Sequence, residues 1–104
     1  MTVPVQISFH GIDPTPAMRD LVNEETAKLE HVYPHIISCR VAVELAAHRH
    51  KHGNPYQIRI ELAVPGKLLV VDSKPESDGP LAVREAFKTL ERNLHEFARK
   101  KRGD

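Results

Sequence analysis

The sequence lacks features that several classes of protein require. It contains one cysteine, Cys39, so no disulfide can form within the chain. No apolar run approaches the roughly 20 residues that span a bilayer. Residues 1–5 have neither the basic flank nor the apolar stretch of a secretory signal. These absences argue against a secreted or membrane-spanning protein and predict a cytoplasmic location with no membrane partner.

Motifs for common catalytic and cofactor chemistries are also missing. The sequence has no Gly-rich phosphate loop, no Cys-x-x-Cys pair, no Gly-x-Ser-x-Gly elbow and no His-Glu-x-x-His zinc motif. No serine or cysteine stands out beside a base, as nucleophilic catalysis would need. We therefore predict that the protein is not an enzyme and that it uses no cofactor or small-molecule substrate.

Length and charge are more informative. The 104 residues suffice for one core but not for two, so we expect a single domain over residues 1–104. The formal net charge is only +1, yet it is unevenly distributed. Residues 84–104 carry seven Lys or Arg against four carboxylates, whereas residues 10–35 carry two against five. A cationic C-terminal segment on a nearly neutral protein indicates local contact with phosphate.

Three segments alternate between apolar and polar residues with the period of a β-strand: Val5–His10, Ser38–Leu45 and Tyr56–Val64. A Pro-Gly turn at residues 65–66 leads into a fourth strand, the apolar run at residues 68–71, which closes the sheet. Cys39 lies on the apolar side of the second segment, so we expect it to be buried and unreactive. The short connections predict that sequential strands pair antiparallel.

Two segments have the period of amphipathic helices. The first begins at Thr15-Pro16 and ends before Pro34, and the second covers residues 80–102 with Asp78 as its cap. The first apolar stripe comprises Met18, Leu21, Val22, Leu29 and Val32. The second comprises Val83, Ala86, Phe87, Leu90, Leu94 and Phe97. The order β-α-β-β-β-α predicts an α+β fold similar to a double-stranded-RNA-binding domain, with a four-stranded sheet and both helices on one face.

The polar face of the second predicted helix carries a line of cations. Arg84, Lys88 and Arg92 recur at four-residue spacing, which aligns them on one side of the helix. Four consecutive cations extend the line: Arg99, Lys100, Lys101 and Arg102. The alternative is a solvated face on which the cations pair locally with Glu85, Glu91 and Glu96. The uninterrupted run of four favours contact with nucleic-acid phosphate.

The connection between the second and third strands is basic and rich in histidine, and its residues 53–55, Gly-Asn-Pro, indicate a turn. It could be a solvated tip or a finger that touches phosphate through Arg49 and Lys51 and binds more tightly as the imidazoles gain charge. It could also hold a transition metal on one side of an extended strand. The metal ligands would be His48, His50 and His52. We rank the metal site below the other two because no carboxylate or cysteine completes the ligand set.

Motifs on both predicted helices carry a family resemblance. The first helix contains Pro-Thr-Pro-Ala-Met-Arg at residues 14–19, then Val22, then Ala-Lys-Leu-Glu at residues 27–30. The second contains Leu-Glu-Arg-Asn-Leu at residues 90–94. These segments resemble the ribosome hibernation-promoting factor family, also called ribosome-associated inhibitor A or sigma-54 modulation protein. The predicted element order agrees, and the similarity spans Val5 to about Lys101.

The resemblance implies a factor that regulates translation under stress and stabilises idle ribosomes. Family members bind the small ribosomal subunit between head and body, where messenger and transfer RNA would sit. The implied rRNA contacts are Arg19, Lys28, Lys88 and Arg92, with residues 99–102 as a basic tail. Such contacts direct binding by the shape of the RNA rather than its sequence. Since the sequence ends at Asp104, without the C-terminal dimerisation domain of the long form, the resemblance is to the short form.

The sequence also departs from the family pattern. Glu25, Thr89 and Glu96 stand where family members carry cations, and no tyrosine precedes the second helix. Fewer cations release fewer counterions, so we expect weaker RNA binding than the family pattern would give. A protein-interaction module on the same fold therefore remains the alternative, using the acidic first helix and the polar face of the sheet.

Overall fold

The chain folds into a four-stranded sheet with two helices. In a computed structural model, which describes residues 3–12, 14–45 and 56–101, the elements follow the predicted order β-α-β-β-β-α. They are β1 (Val5–His10), α1 (Pro16–Val32), β2 (Ser38–Leu45), β3 (Tyr56–Val64), β4 (Lys67–Asp72) and α2 (Gly79–Lys101). The α+β prediction is confirmed. The predicted bounds differ mainly at β4, which is one residue longer at each end.

Both helices begin at the capping residues that the sequence predicted. The Thr15 hydroxyl accepts a hydrogen bond from the Met18 N–H at 3.2 Å. The Asp78 carboxylate accepts one from the Leu81 N–H at 3.1 Å. N–H groups in a first helical turn have no partner within the helix, so these side-chain oxygens stabilise both helix starts.

The sheet has the strand order β1-β2-β3-β4 and mixed pairing. β2–β3 and β3–β4 are antiparallel as predicted, and the Pro65-Gly66 turn joins the second pair, with Gly66 at a φ of 84°. The antiparallel prediction is wrong for β1 and β2, which pair parallel. α1 follows β1 and carries the chain back along the sheet, so β2 starts again from the same end.

One face of the sheet packs against both helices and forms the core. Its buried residues from the strands are Cys39, Val41, Val43, Ile58, Ile60, Leu62, Val64, Leu69 and Val71. α2 contributes its predicted stripe, of which Val83, Ala86, Phe87, Leu90 and Leu94 are buried and Phe97 is partly buried. The other face of the sheet carries the alternate residues of each strand and is open to solvent.

The predicted stripe of α1 needs one correction. Met18, Val22 and Leu29 are buried, but Val32 is 59% exposed, because it is the last residue of the helix and lies beyond the core. Thr26 is buried in its place. Its hydroxyl donates to the Val22 carbonyl at 2.8 Å, so the buried polar group is satisfied.

The Cys39 thiol is buried beneath α1. Its side chain is fully inaccessible, and its sulfur lies 3.9 Å from the Thr26 hydroxyl. Burial disfavours the thiolate and raises the pKa of Cys39 from 9.0 to about 11, although the Thr26 contact acts in the opposite direction. The thiolate is the nucleophile in cysteine chemistry, so this geometry agrees with the unreactive cysteine predicted from the sequence.

Stability should therefore fall at alkaline pH through Cys39. An unfolded chain releases the thiol proton near 9.0, whereas the folded chain holds it until about 11, so rising pH favours unfolding across this window. We expect a loss of about 2 to 3 kcal/mol in the free energy of unfolding, measured by urea denaturation at a series of pH values. Cys39→Ala is the control, and an equal loss in that variant would assign the effect to other groups.

Candidate nucleic-acid interface

The solvent face of α2 carries four cations and one histidine in a line. We call Arg84, Lys88, Arg92, His95 and Arg99 the basic strip, and all five side chains are exposed. At about 100° of rotation per residue they fall within a sector of about 80°, and at 1.5 Å per residue they extend over roughly 22 Å. The strip therefore forms a narrow row of positive charge along the helix.

Carboxylates border the strip but do not interrupt it. By the same helical rotation, Glu91 lies along one border, and Glu85 and Glu96 lie along the other. Across residues 3–12, 14–45 and 56–101, no carboxylate approaches a strip cation to ion-pair distance. The local pairing considered from the sequence is therefore not found in this part of the chain, and the strip cations remain available to an external anion.

Four residues of the strip line a shallow depression in the surface of α2. The depression has a volume of about 450 Å³. Its lining residues are Lys88, Glu91, Arg92, His95, Glu96 and Arg99. Three cations, one histidine and two carboxylates thus line this hollow, so positive charge predominates along it.

The C-terminal run of cations does not continue the strip as one surface. Arg99 belongs to the strip, but Lys100 is rotated about 100° from it and lies beside Pro65, Gly66 and Phe97. Lys101 is the last residue of α2. Arg102 lies outside the described residues, and so do Arg49 and Lys51, so their predicted roles stay predictions.

The two cations of α1 lie on opposite sides of that helix. The Arg19 guanidinium lies above the Phe9 ring of β1, 5.4 Å from its centroid, in a cation–π contact. Lys28 is nine residues further on, which is half a turn around the helix. Lys28 therefore lies on the side of α1 that faces away from β1 and toward α2, and Arg19 is separated from the strip.

Lys28 lies level with the middle of the strip. The helices start side by side, because a Cβ atom at Gly79 would lie 3.3 Å from the Met18 methyl group. The two helices run in the same direction. Lys28 lies ten residues after Met18, and Lys88 lies nine residues after Gly79, so the two lysines lie at nearly the same height. The Lys28 amine also pairs with the Glu25 carboxylate at 3.3 Å, which offsets part of its charge. Lys28 is therefore the α1 cation that lies beside the strip, and its pairing with Glu25 reduces the charge that it can offer to an anion.

The Arg59 cation on the open face of the sheet is less available to an external anion. Arg59 donates to Asp72 at 2.9 Å and to Glu61 at 3.4 Å. These carboxylates raise the pKa of Arg59 above its ordinary value, with Asp72 the main cause. Sequence reasoning did not identify this triad, although Arg59 and Glu61 share a face by their two-residue spacing. The face is nearly neutral there, so α2 offers the stronger anion site.

The metal site considered from the sequence involves residues that lie outside the described part of the chain. His48, His50 and His52 are not among the described residues. Within the described ranges, no group of three His, Cys, Asp or Glu side chains could hold a metal ion. In the same ranges, no helix is long and apolar enough to cross a membrane.

Comparison with known protein families identifies the relatives of this chain. The family described as Sigma 54 modulation protein / S30EA ribosomal protein matches residues 5–102. The chain belongs to this family. The match confirms the resemblance predicted from the two helix motifs, and membership supports a ribosome-associated role in translation regulation. No curated protein sequence matches the chain.

Solved structures show that this fold recurs in the family's relatives. A ribosomal subunit interface protein from Coxiella burnetii superposes with a TM-score of 0.79 at 17% identity, covering 92% of this chain and 98% of that one. The N-terminal domain of Thermus thermophilus Protein Y gives a TM-score of 0.69 at 22% identity, covering 93% and 99%. At these identities the structures establish the shared fold and leave the contacts of the basic strip to be tested.

Proposed function

We propose that this family member binds the small ribosomal subunit through the basic strip of α2 and holds ribosomes idle. The bound protein would occupy the rRNA cleft between head and body and block the sites of messenger and transfer RNA. Its place of action would be the cytoplasm, where ribosomes work. This function requires binding alone, in keeping with the absence of catalytic motifs from the sequence.

The observation that carries the proposal is the unpaired state of the strip cations. Free guanidinium and ammonium groups can replace the counterions of RNA phosphates, and the release of those counterions drives binding. Arg84, Lys88, Arg92 and Arg99 are each exposed without a carboxylate at ion-pair distance in the described structure. A straight row of this kind suits the ridge of phosphates along a folded RNA.

The role of α1 in the proposed contact is smaller than the family resemblance implied. Lys28 lies beside the strip and can extend it, but Glu25 competes for its charge at 3.3 Å. Arg19 lies over Phe9 on the far side of α1, where it would reach a different part of the RNA. We therefore assign the main contact to α2.

Co-sedimentation with purified small ribosomal subunits across a salt series tests the proposal. Five cations, the four of the strip and Lys28, predict saturable binding that weakens by about 100- to 500-fold between 50 and 200 mM salt. The logarithm of the association constant should fall linearly with the logarithm of the salt concentration. Absence of binding even at the lowest salt would contradict the proposal and leave the protein-interaction module as the better hypothesis.

A further inference from the structure

The outer edge of the sheet at β4 is not protected against pairing with another strand. β4 contains Leu-Leu-Val-Val at residues 68–71, the longest run of Leu, Ile and Val in the sequence. Among the described strands β3 alone pairs with it, so β4 is an edge strand in this part of the chain. The run contains no proline and no charge, which are the usual devices that prevent pairing at an exposed edge.

The free backbone groups of β4 can be assigned to individual residues. The Ser73 N–H donates to the Ile58 carbonyl of β3 at 2.8 Å. Alternate residues of a strand direct their hydrogen-bonding groups to the same side, so Lys67, Leu69 and Val71 also face β3. The N–H and C=O groups of Leu68, Val70 and Asp72 therefore face outward, where they have no strand to pair with in the described structure.

Exposed aliphatic side chains lie beside these free groups. Leu68 is 54% exposed and Val70 is 40% exposed, and both project from the open face of the sheet. Their neighbours on β3 are Ala63 and Glu61, so the two side chains form a small apolar patch at the margin of the sheet. The opposite edge differs, because Gln6, Ser8 and His10 occupy the exposed positions of β1.

α2 does not cover this edge. A groove of about 560 Å³ separates the helix from the end of β4 and from the segment that follows it. Thr89 and Arg92 line the helix side of the groove, and Asp72, Ser73 and Lys74 line the strand side.

We propose that β4 pairs with β4 of a second copy of this chain, in an antiparallel arrangement that joins two sheets into one. Residues opposite each other in such a pair must share a face of the sheet. The register that places Leu68 opposite the second copy's Val70 satisfies this rule. The two-fold axis repeats the contact, so that Val70 also lies opposite the second copy's Leu68. A shift of two residues would instead place Leu68 opposite Asp72, whose carboxylate is bound to Arg59.

The second copy is the occupant that fits this edge best. The same strand supplies both the free backbone groups and the complementary aliphatic side chains, so the interface is isologous. A two-fold pair uses both β4 edges and stops, whereas a foreign strand would have to reproduce the Leu-x-Val pattern. The net charge of +1 opposes association only weakly. The small contact area predicts a dissociation constant of roughly 10 to 100 µM.

Sedimentation equilibrium over a concentration series measures the dimer directly. Val70→Lys places a cation in the patch opposite Glu61, which keeps the strand folded while making the interface charged. It should weaken dimerisation at least about tenfold. Leu68→Thr removes an aliphatic group without adding charge and should weaken it by about three- to tenfold. Ser8→Lys, at the exposed middle of β1, is the matched control and should dimerise like the wild type.

Hydrogen exchange distinguishes strand pairing from other association. In the dimer, the outward amides of Leu68 and Val70 should exchange at least about tenfold more slowly than in the Val70→Lys monomer. Circular dichroism and urea unfolding should show that each variant keeps its fold. A wild-type protein that stays monomeric up to millimolar concentration would overturn the proposal. So would a dimer that is unaffected by both β4 variants or leaves these amides unprotected.

Discussion

Replacing both Lys88 and Arg92 with glutamate is expected to abolish co-sedimentation with the small ribosomal subunit. Both side chains are exposed at the centre of the basic strip, and the double substitution changes the charge there by four units. Phosphates that these cations would neutralise would instead be repelled. We expect a loss of at least about a hundredfold in the association constant at low salt. The free energy of unfolding should change little, because neither residue packs in the core.

A charge-matched variant separates the strip from the overall charge of the protein. Arg40→Glu combined with Lys67→Glu changes the net charge equally, but the two residues lie on the open face of the sheet and at the start of β4. This variant should bind within about threefold of the wild type, because neither residue belongs to the strip and salt screens exposed charges outside the contact. If the Lys88→Glu/Arg92→Glu variant bound like the wild type, α2 would not be part of the interface. If both double variants lost the same affinity, the effect would be a non-specific effect of net charge.

Replacing Phe87 with alanine should produce the largest loss of stability. Phe87 is the largest fully buried side chain of the described residues, and it belongs to the core cluster on the buried side of α2. Truncation removes the buried ring and leaves a cavity, which typically costs about 3 to 5 kcal/mol. Domains of this size have total stabilities of about 5 to 15 kcal/mol, so the variant would retain only part of its stability. Urea denaturation followed by circular dichroism measures the loss.

Val32→Ala is the matched control for this prediction. Val32 lies on a helix, loses only methyl groups in the substitution, and is 59% exposed. Its free energy of unfolding should differ from that of the wild type by less than about 0.5 kcal/mol. A Phe87→Ala cost below about 1 kcal/mol would contradict the description of Phe87 as a buried core residue.

Much of the fold could be predicted because burial in this protein follows simple periods. Alternation located three of the strands, the Pro65-Gly66 turn located β4, and the spacing from Val83 to Leu94 located the buried side of α2. Capping residues located both helix starts, since Thr15 and Asp78 act within four residues of the helices they begin. Each of these signals lies in a short stretch of sequence, so no knowledge of tertiary contacts was required.

The incorrect predictions concern strand pairing and burial, which depend on tertiary contacts. The rule that nearby strands pair antiparallel fails for β1 and β2, because α1 lies between them as a crossover. The exposure of Val32 depends on where the core ends, which helix periodicity does not reveal. Thr26 could have been identified, since it lies four residues after Val22 and three before Leu29 on the buried stripe. Its polar side chain concealed that position.

The candidate site was only partly predictable. Four-residue spacing aligned Arg84, Lys88 and Arg92, but ion pairing depends on side-chain conformations that spacing does not determine. The Lys28–Glu25 pair could have been anticipated from its three-residue separation. The position of Arg19 over Phe9 joins residues from different elements, so the sequence offered no local signal for it.

The parallel pairing of β1 has a consequence for how the molecule assembles. β2, β3 and β4 meet their neighbours across short connections, but Val5 pairs with Cys39 only after α1 has closed the loop between them. Closing a longer loop costs more conformational entropy before any contact forms. Val5, Ile7 and Phe9 are also only partly buried, so less apolar surface secures this strand. We therefore expect β1 to dock last during folding and to detach first in local opening.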